Sequence, residues 1–265
     1  MELPDQELVR VDNLLELMAS GGSALDVGAR GGAISLRLTE GFDEVVALDL
    51  VEPPVVHHRI RAVKGDATQM QFPDDSFDSV LCAEMLEHLP SPLLERACRE
   101  LARVTRRSLV VGVPYKQDIR IGRTTCFTCG KPNPPWGHVN SFDEDSLRRL
   151  FPDLEWARVQ YVGTSEPSTN KVSAFLMDLA GNPYGSYDQE EACVHCNARM
   201  LPAGPPSLLR RLVVKPAIFL QTLQRPFVTP HANWIHVLLT KPTGHPNRPS
   251  AAVPPDEQMA ARTDR

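Results

Sequence analysis

Ser23-Ala24-Leu25-Asp26-Val27-Gly28-Ala29-Arg30-Gly31-Gly32 reads as a short apolar strand that runs into a glycine-rich turn and opens a helix. Seventeen residues past Gly32, Asp49 closes a second apolar run, Val45-Val46-Ala47-Leu48. Strand, glycine turn, helix and a strand ending in an acid form a nucleoside-binding half-unit. Glycine lets the backbone approach the ligand closely, and the acid can take both hydroxyls of a ribose. A glycine turn alone says little; the spacing to Asp49 and the segments downstream give it weight.

Working outward, residues 5–19 predict a helix with Leu8, Val11, Leu14, Leu15 and Met18 on its apolar face. Strands are expected at 24–28, 44–49, 61–64, 77–83, 108–113 and 156–162, with helices from the turn to Leu38 and over 92–104. Ser91 is placed as the N-cap of the second helix with Pro92 at its first position, and Ser141-Phe142-Asp143-Glu144 as a capping box. The segment 51–58, with two prolines, is too short for a crossover helix. After 162 the alternation stops: 171–179 fits helix and strand equally, 207–223 is an amphipathic basic stretch, and 234–240 is the strongest late strand. The chain thus divides into a helix at 1–20, an α/β core at 21–165, an insertion at 166–233, a last core strand at 234–241 and a tail at 242–265. The tail's five prolines and missing apolar period predict disorder.

With 265 residues, 42% hydrophobic and 23% charged, the composition is that of a globular protein able to bury a full core. Neither a basic-apolar leader nor an apolar run of about 18 residues is read in it, so the expected compartment is the cytoplasm. The net charge of −5 is uneven. Between Ala192 and Pro255 there is no Asp or Glu, against seven Lys and Arg residues. Either this part faces something anionic or it balances an acidic patch of the same protein.

Further motifs follow the turn: Gly65-Asp66-Ala67, then Phe72-Pro73-Asp74-Asp75-Ser76-Phe77-Asp78, then Glu87-His88-Leu89-Pro90. Together with the turn, this set resembles the class I S-adenosylmethionine-dependent methyltransferases, and within them the small-molecule methyltransferase group, over roughly residues 20–165. The resemblance implies a Rossmann-like, doubly wound, mostly parallel sheet with an antiparallel last strand. It also implies S-adenosylmethionine as cofactor. Transferred residue by residue, Asp26, Gly28, Ala29 and Gly32 match the cofactor turn, and Asp49 matches the ribose-binding acid. Asp66 and Ala67 match the adenine-contacting pair, and Glu84 lies where the family lines the methionine end. The chain departs from the pattern at Ala29-Arg30, where many members have Cys and Gly. Arg at a central turn position is expected to avoid positive φ; its side chain either holds the methionine carboxylate or points outward.

Cys126-Phe127-Thr128-Cys129 and Cys193-Val194-His195-Cys196 are two C-x-x-C pairs, each followed by a loop-forming residue, Gly130 and Asn197. Without a secretion signal, such pairs read as zinc ligands more readily than as disulfides, and two pairs complete a closed tetrahedral site of four cysteines. The 63 intervening residues exceed a compact zinc-ribbon spacing. An antiparallel last strand would nevertheless bring both pairs to the cofactor edge, where one structural Zn2+ would staple a lid over the substrate. Redox disulfides and a thiol-activating zinc are the competing readings. Cys82 and Cys98 read as core residues.

Methyl transfer to a hydroxyl requires alignment of the acceptor and removal of a proton. His138, in Trp136-Gly137-His138-Val139-Asn140, is the candidate base; its alternatives are a hydrogen-bonding histidine or a zinc ligand. His88 reads as structural, and Tyr115 as either a substrate contact or a packing residue. The basic stretch 207–223 would pack on the protein or lie on a membrane surface, giving access to a lipid-linked acceptor. Three functions stay in view. The first is a methyltransferase acting on a small-molecule, sugar or lipid-linked acceptor. The second is an RNA methyltransferase gripping its substrate with the basic region, disfavoured by net acidity and an aromatic content of 6%. The third is a non-catalytic zinc-stabilised interaction protein with a degenerate cofactor turn.

Overall fold

The computed structural model describes residues 5–164, 168–201 and 208–242. The tail expected to be disordered, from 243 onward, and Ser207 at the start of the basic stretch lie outside the described residues.

A seven-stranded sheet forms the core. Strand β1 (Ser23–Val27) pairs in parallel with β2 (Glu44–Asp49) on one side and β4 (Phe77–Ala83) on the other. Beyond β2 lies β3 (Ile60–Lys64), and beyond β4 lies β5 (Thr105–Pro114), both parallel. Strand β9 (Trp234–Thr240) runs antiparallel between β5 and β8 (Glu155–Val162). The order β3-β2-β1-β4-β5-β9-β8 is the doubly wound arrangement with one reversed strand that the resemblance implied. A two-stranded hairpin, β6 (Thr124–Thr125) with β7 (Pro132–Asn133), stands apart from it.

The period of two along each central strand explains the two layers. Leu25, Val46, Val80, Leu109 and Val111 face one side, where α3 (Ser91–Val104) and α4 (Glu144–Leu150) cover them through Leu94, Ala97, Leu101 and Leu147. Ala24, Val45, Leu81 and Val110 face the other, under α1 (Asp5–Leu17) and α2 (Ala33–Leu38). Cys82 and Cys98 are free thiols within the first layer, as expected of core residues. Burial pushes the Cys98 thiol up to about 12.

Several local expectations need correction. Helix α1 buries Arg10, Val11, Leu14 and Leu17, whereas Leu8, Leu15 and Met18 are only half-buried. Its docking is fixed by His236 of β9, whose Nδ1–H donates to Asn13 Oδ1 at 2.6 Å. Ser91 lies inside α3; the N-cap is Pro90, with no side-chain hydrogen bond. The capping box that opens α4 is Asp143 with Ser146, each side chain taking up the other's backbone amide at 2.8 Å. The ambiguous segment is a helix, α5 (Lys171–Leu179), capped by Asn170, whose side chain accepts the Ser173 amide at 2.8 Å. It packs against α6 (Leu208–Gln224) through small residues, with the Ser173 hydroxyl donating to the Ala217 carbonyl at 2.7 Å. Among the described residues no helix is long and apolar enough to cross a membrane.

Candidate functional site

All parallel strands end at one edge, and the glycine turn sits at its centre, after β1. Gly28 and Gly32 have φ of 82° and 75°. A Cβ on Gly32 would stand 2.5 Å from Val55 Cβ, and one on Gly28 would stand 3.1 Å from the Met85 side chain. The turn is therefore shaped for glycine on steric as well as dihedral grounds. Arg30 departs from expectation: it does adopt positive φ, 44°, with its amide donating to Asp49 Oδ2 at 2.8 Å. Its guanidinium, 64% exposed, pairs with Glu191 at 3.1 Å, and both residues line the cavity beside the turn.

Asp26 lies beneath the turn, 3% exposed, and takes the Ser35 hydroxyl of α2 at 2.6 Å. Burial, opposed by that hydrogen bond, lifts its carboxyl to about 6. Its side chain braces the turn from below. Asp49 ends β2; Asp66 and Ala67 follow β3, the next strand along the same edge. The Asp66 carboxylate accepts the Thr68 amide at 2.8 Å.

A cavity of about 900 Å³ opens beside the turn. Gly28, Ala29, Arg30 and Gly31 form one wall, and Glu84 with Arg10 of α1 forms another. Glu84, at φ 54°, presents a buried Oε1 without a hydrogen-bond partner, 4.0 Å from Arg10 Nη1, which is likewise buried and unpartnered. Burial raises the Glu84 carboxyl to about 7 against the pull of Arg10. Glu7 holds the Nε and Nη2 of Arg10, so one guanidinium nitrogen and one Glu84 oxygen remain in the cavity wall as the donor and acceptor a zwitterionic ligand needs. Arg10 was missed from sequence. Its signal is an arginine in register with Leu14 and Leu17, at i+4 and i+7 on the face that turns inward.

The far end of the cavity is lined by Tyr115, Gln117, Trp136, His88 and His138. The Tyr115 hydroxyl donates to Glu144 at 2.9 Å, so it is engaged within the protein. His138 is 7% exposed, and its Nδ1–H donates to Gln117 Oε1 at 2.7 Å. Burial, with the nearby charges of His88 and Arg30, pulls its imidazole down to about 4, so it is neutral at physiological pH. The loop that carries it is clipped to the turn after β4: the Val139 and Asn140 amides donate to the Glu87 carbonyl, and the Asn140 side chain donates to the Leu86 and Leu89 carbonyls. His88 and His138 therefore meet edge to face, with ring centroids 4.7 Å apart.

The four cysteines of the two pairs converge, all Sγ atoms lying within 4.8 Å of one another. Cys126 and Cys196 are 3.6 Å apart, and Cys129 and Cys193 are 3.8 Å apart. The two turns share one geometry. Cys126 and Cys193 donate their amides to the Lys131 and Ala198 carbonyls, and their own carbonyls accept the amides of Gly130 and Asn197. Gly130 and Asn197 have φ of 69° and 57°, the left-handed conformation that glycine and asparagine tolerate best. His195 is exposed, its ring against the Pro132 carbonyl at 3.0 Å. Just upstream of the second pair, Gln189 accepts the Trp136 amide at 2.6 Å, and Glu191 holds Arg30.

Residues 25–109 match the family model described as a methyltransferase domain. The chain is 35% identical over 105 residues to the ubiquinone biosynthesis O-methyltransferase of Xanthomonas campestris pv. campestris (strain B100), covering 35% of this chain and 44% of the relative. It thus spans less than half the length of that relative. Among solved structures, the N-methyltransferase NodS of Bradyrhizobium japonicum WM9 superposes with a TM-score of 0.52 at 15% identity, over 91% of this chain and 99% of NodS. The cyclase SpnF superposes with a TM-score of 0.51 at 17% identity, over 89% and 81%. Those two likenesses speak to the fold, which carries more than one chemistry. The matched segment is a methyltransferase domain, and the sheet built around it is the Rossmann-like, mostly parallel sheet that those neighbours share.

Proposed function

We propose that the chain transfers the methyl group of S-adenosylmethionine to a small-molecule acceptor. The observation that carries this reading is one cavity lined by the glycine turn, by the unbonded Arg10 Nη1 and Glu84 Oε1, and by the polar side chains of Gln117, Trp136 and His138. The cavity of about 900 Å³ has room for the methionine end of the cofactor and a small acceptor; Asp49, Asp66 and Ala67 lie outside its lining, further along the strand edge, where the nucleoside would rest.

The residues present fit the cofactor. The turn at Gly28, Ala29 and Gly32, over Asp26, brings backbone close to it; Asp49 takes the ribose hydroxyls, and Asp66 with Ala67 receives the adenine. Glu84 receives the amino group of the methionine end and Arg10 its carboxylate, which satisfies both orphaned atoms. When bound, the sulfonium supplies the reactive methyl. The protein's part is alignment, with Trp136 and His138 holding the acceptor against the methyl donor and Tyr115 shaping the wall. Calorimetry with S-adenosylmethionine and S-adenosylhomocysteine tests this directly. Micromolar binding is expected, weakened at least tenfold in Arg10→Met; no binding at millimolar cofactor would overturn the reading.

Cys126, Cys129, Cys193 and Cys196 are read as ligands of one structural zinc. Four thiolates around an ion with Zn–S of about 2.3 Å stand about 3.8 Å apart in a tetrahedron. The two Sγ separations of 3.6 and 3.8 Å match that spacing. A closed set of four sulfurs leaves no position for substrate, so the role is structural.

A lipid-linked acceptor is the second reading, supported by the outer face of α6. Leu208, Leu212, Phe219 and Leu223 are more than half exposed beside Arg211 and Lys215. Such a face suits an anionic membrane surface. Co-sedimentation with vesicles containing phosphatidylglycerol, lost in Leu212→Glu/Phe219→Glu, would favour it; equal recovery in the supernatant with and without vesicles would remove it.

A further inference from the structure

A second cluster of ligand atoms lies outside the cysteine site. Glu87 is 0% exposed, and neither of its carboxylate oxygens has a hydrogen-bond partner. A carboxyl buried in this way keeps its proton, as burial beside Glu84 favours for Glu87, unless a cation takes that proton's place. His88 and His138 bring ligand atoms to it, while Glu84, Arg10 and Arg30 are the charged side chains nearby. One ligand atom from each of the three residues lies within 4.8 Å of the others, and His138 Nε2 is 4.0 Å from Glu87 Oε1. We propose that Glu87, His88 and His138 bind a divalent transition-metal ion at the acceptor end of the cavity, distinct from the cysteine site.

Three features support a built site. First, Gln117 accepts the Nδ1–H of His138 at 2.7 Å, which leaves Nε2 with its lone pair turned to the cluster. Fixing one imidazole nitrogen so that the other can ligate is the usual work of an outer hydrogen bond. Second, the two ligand-bearing segments are bound to each other through the backbone: Val139 and Asn140 amides close on the Glu87 carbonyl at 2.8 and 3.2 Å. Third, His88 and His138 line the cavity, so the remaining coordination positions open toward the acceptor rather than into the core.

Two ligands held at about 2.1 Å in tetrahedral geometry stand about 3.4 Å apart. The observed 4.0 Å needs a contraction of about half an ångström, within reach of small side-chain rotations. Two imidazoles and one carboxylate favour zinc, manganese, iron or cobalt over calcium and magnesium, which prefer all-oxygen sets. Open positions beside the methyl donor would take an acceptor oxygen, so the site selects hydroxyl-bearing acceptors. That substrate consequence rests on the methyl-transfer reading; the ion site itself does not.

Manganese is the probe, because it suits nitrogen and oxygen ligands and leaves thiolates to zinc. Titration of the zinc-loaded full chain with Mn2+, followed by electron paramagnetic resonance, should show one tightly bound ion per chain with spin-echo modulation from imidazole nitrogen. Glu87→Gln and His138→Ala should each weaken Mn2+ binding at least tenfold while the cysteine-bound zinc content stays constant. Absence of bound Mn2+ in the wild type, or a bound ion without nitrogen modulation, overturns the proposal whether or not the variants fold. Calorimetry with S-adenosylhomocysteine on the same samples separates the two ideas: a chain that binds Mn2+ but not the nucleoside keeps the ion site and loses the methyl-transfer reading.

Discussion

Replacing Asp26 by asparagine should change how stability depends on pH, by an amount set by the burial of one carboxyl. In the folded chain that carboxyl titrates near 6, against 3.8 for an unperturbed aspartate. An acid whose folded value is raised holds its proton more tightly when folded. The stability it contributes is complete below pH 3.8, declines as pH rises between 3.8 and about 6, and is gone above that. The shift corresponds to about 3 kcal/mol. An asparagine side chain cannot ionise, so the variant escapes this loss. Ser35 donates both its hydroxyl and its amide to the aspartate, and an asparagine replaces one acceptor by a donor. That mismatch adds a constant offset but no slope. Urea unfolding of wild type and variant at half-unit intervals from pH 3.5 to 8 gives the difference curve. Other acid-sensitive features, including the cysteine cluster, cancel in it. It should move in favour of Asp26→Asn by about 3 kcal/mol across this window and be flat above pH 7. Parallel stability curves would refute the placement of a desolvated carboxyl beneath the cofactor turn.

Cys129→Ser should lower bound zinc and thermal stability together, measured by metal analysis and differential scanning calorimetry; unchanged metal content would remove the four-sulfur reading. Gly32→Ala must place a Cβ 2.5 Å from Val55 Cβ at φ 75°, so strain and overpacking together should cost about 2–4 kcal/mol in urea unfolding. A stability within about 0.5 kcal/mol of wild type, the error of such an extrapolation, would contradict the tight turn. Arg30→Ala removes an exposed ion pair to Glu191 and should leave stability nearly unchanged, by about 0–1 kcal/mol. A large loss in chemical denaturation would show that the pair matters more than its exposure allows.

The parallel strands were legible because apolar runs of four to seven residues alternate between two buried faces and end at turn residues. The cysteine convergence was legible from two matched spacings and the direction of the last strand. Other features depend on docking that no local pattern records. Arg10 is buried because Asn13 meets His236, 223 residues away. His88 meets His138 because Asn140 bonds back across the Leu86–Leu89 turn. Helix α5 had a readable signal in Asn170, an N-cap residue, but its apolar run fits a strand equally until α6 is there to cover Ala174. At Arg30 the dihedral preference of arginine was overridden by the Asp49 carboxylate, which captures the turn's amide.

The reversed strand β9 explains why everything irregular gathers at one edge. The exit of β5, the exit of β8 and the entry to β9 lie side by side, with Pro114 and Val162 both opposite Trp234. Two long connections leaving that edge must share the space above the glycine turn, and the cysteine pairs, one in each, tie them at a point. From that tie the chain runs back along Gln189 and Glu191, which grip the Trp136 amide and the Arg30 guanidinium. The sulfur cluster thus bears on the wall of the cavity rather than on the sheet, whose core clusters contain none of its four cysteines. If the cluster holds the zinc proposed above, loss of that ion should spare the sheet beneath the glycine turn and loosen the cavity wall formed by Arg30 and Trp136. The same sheet that serves the cofactor in many contexts is here joined to an acceptor wall with its own source of stability, free to vary without disturbing the strands below.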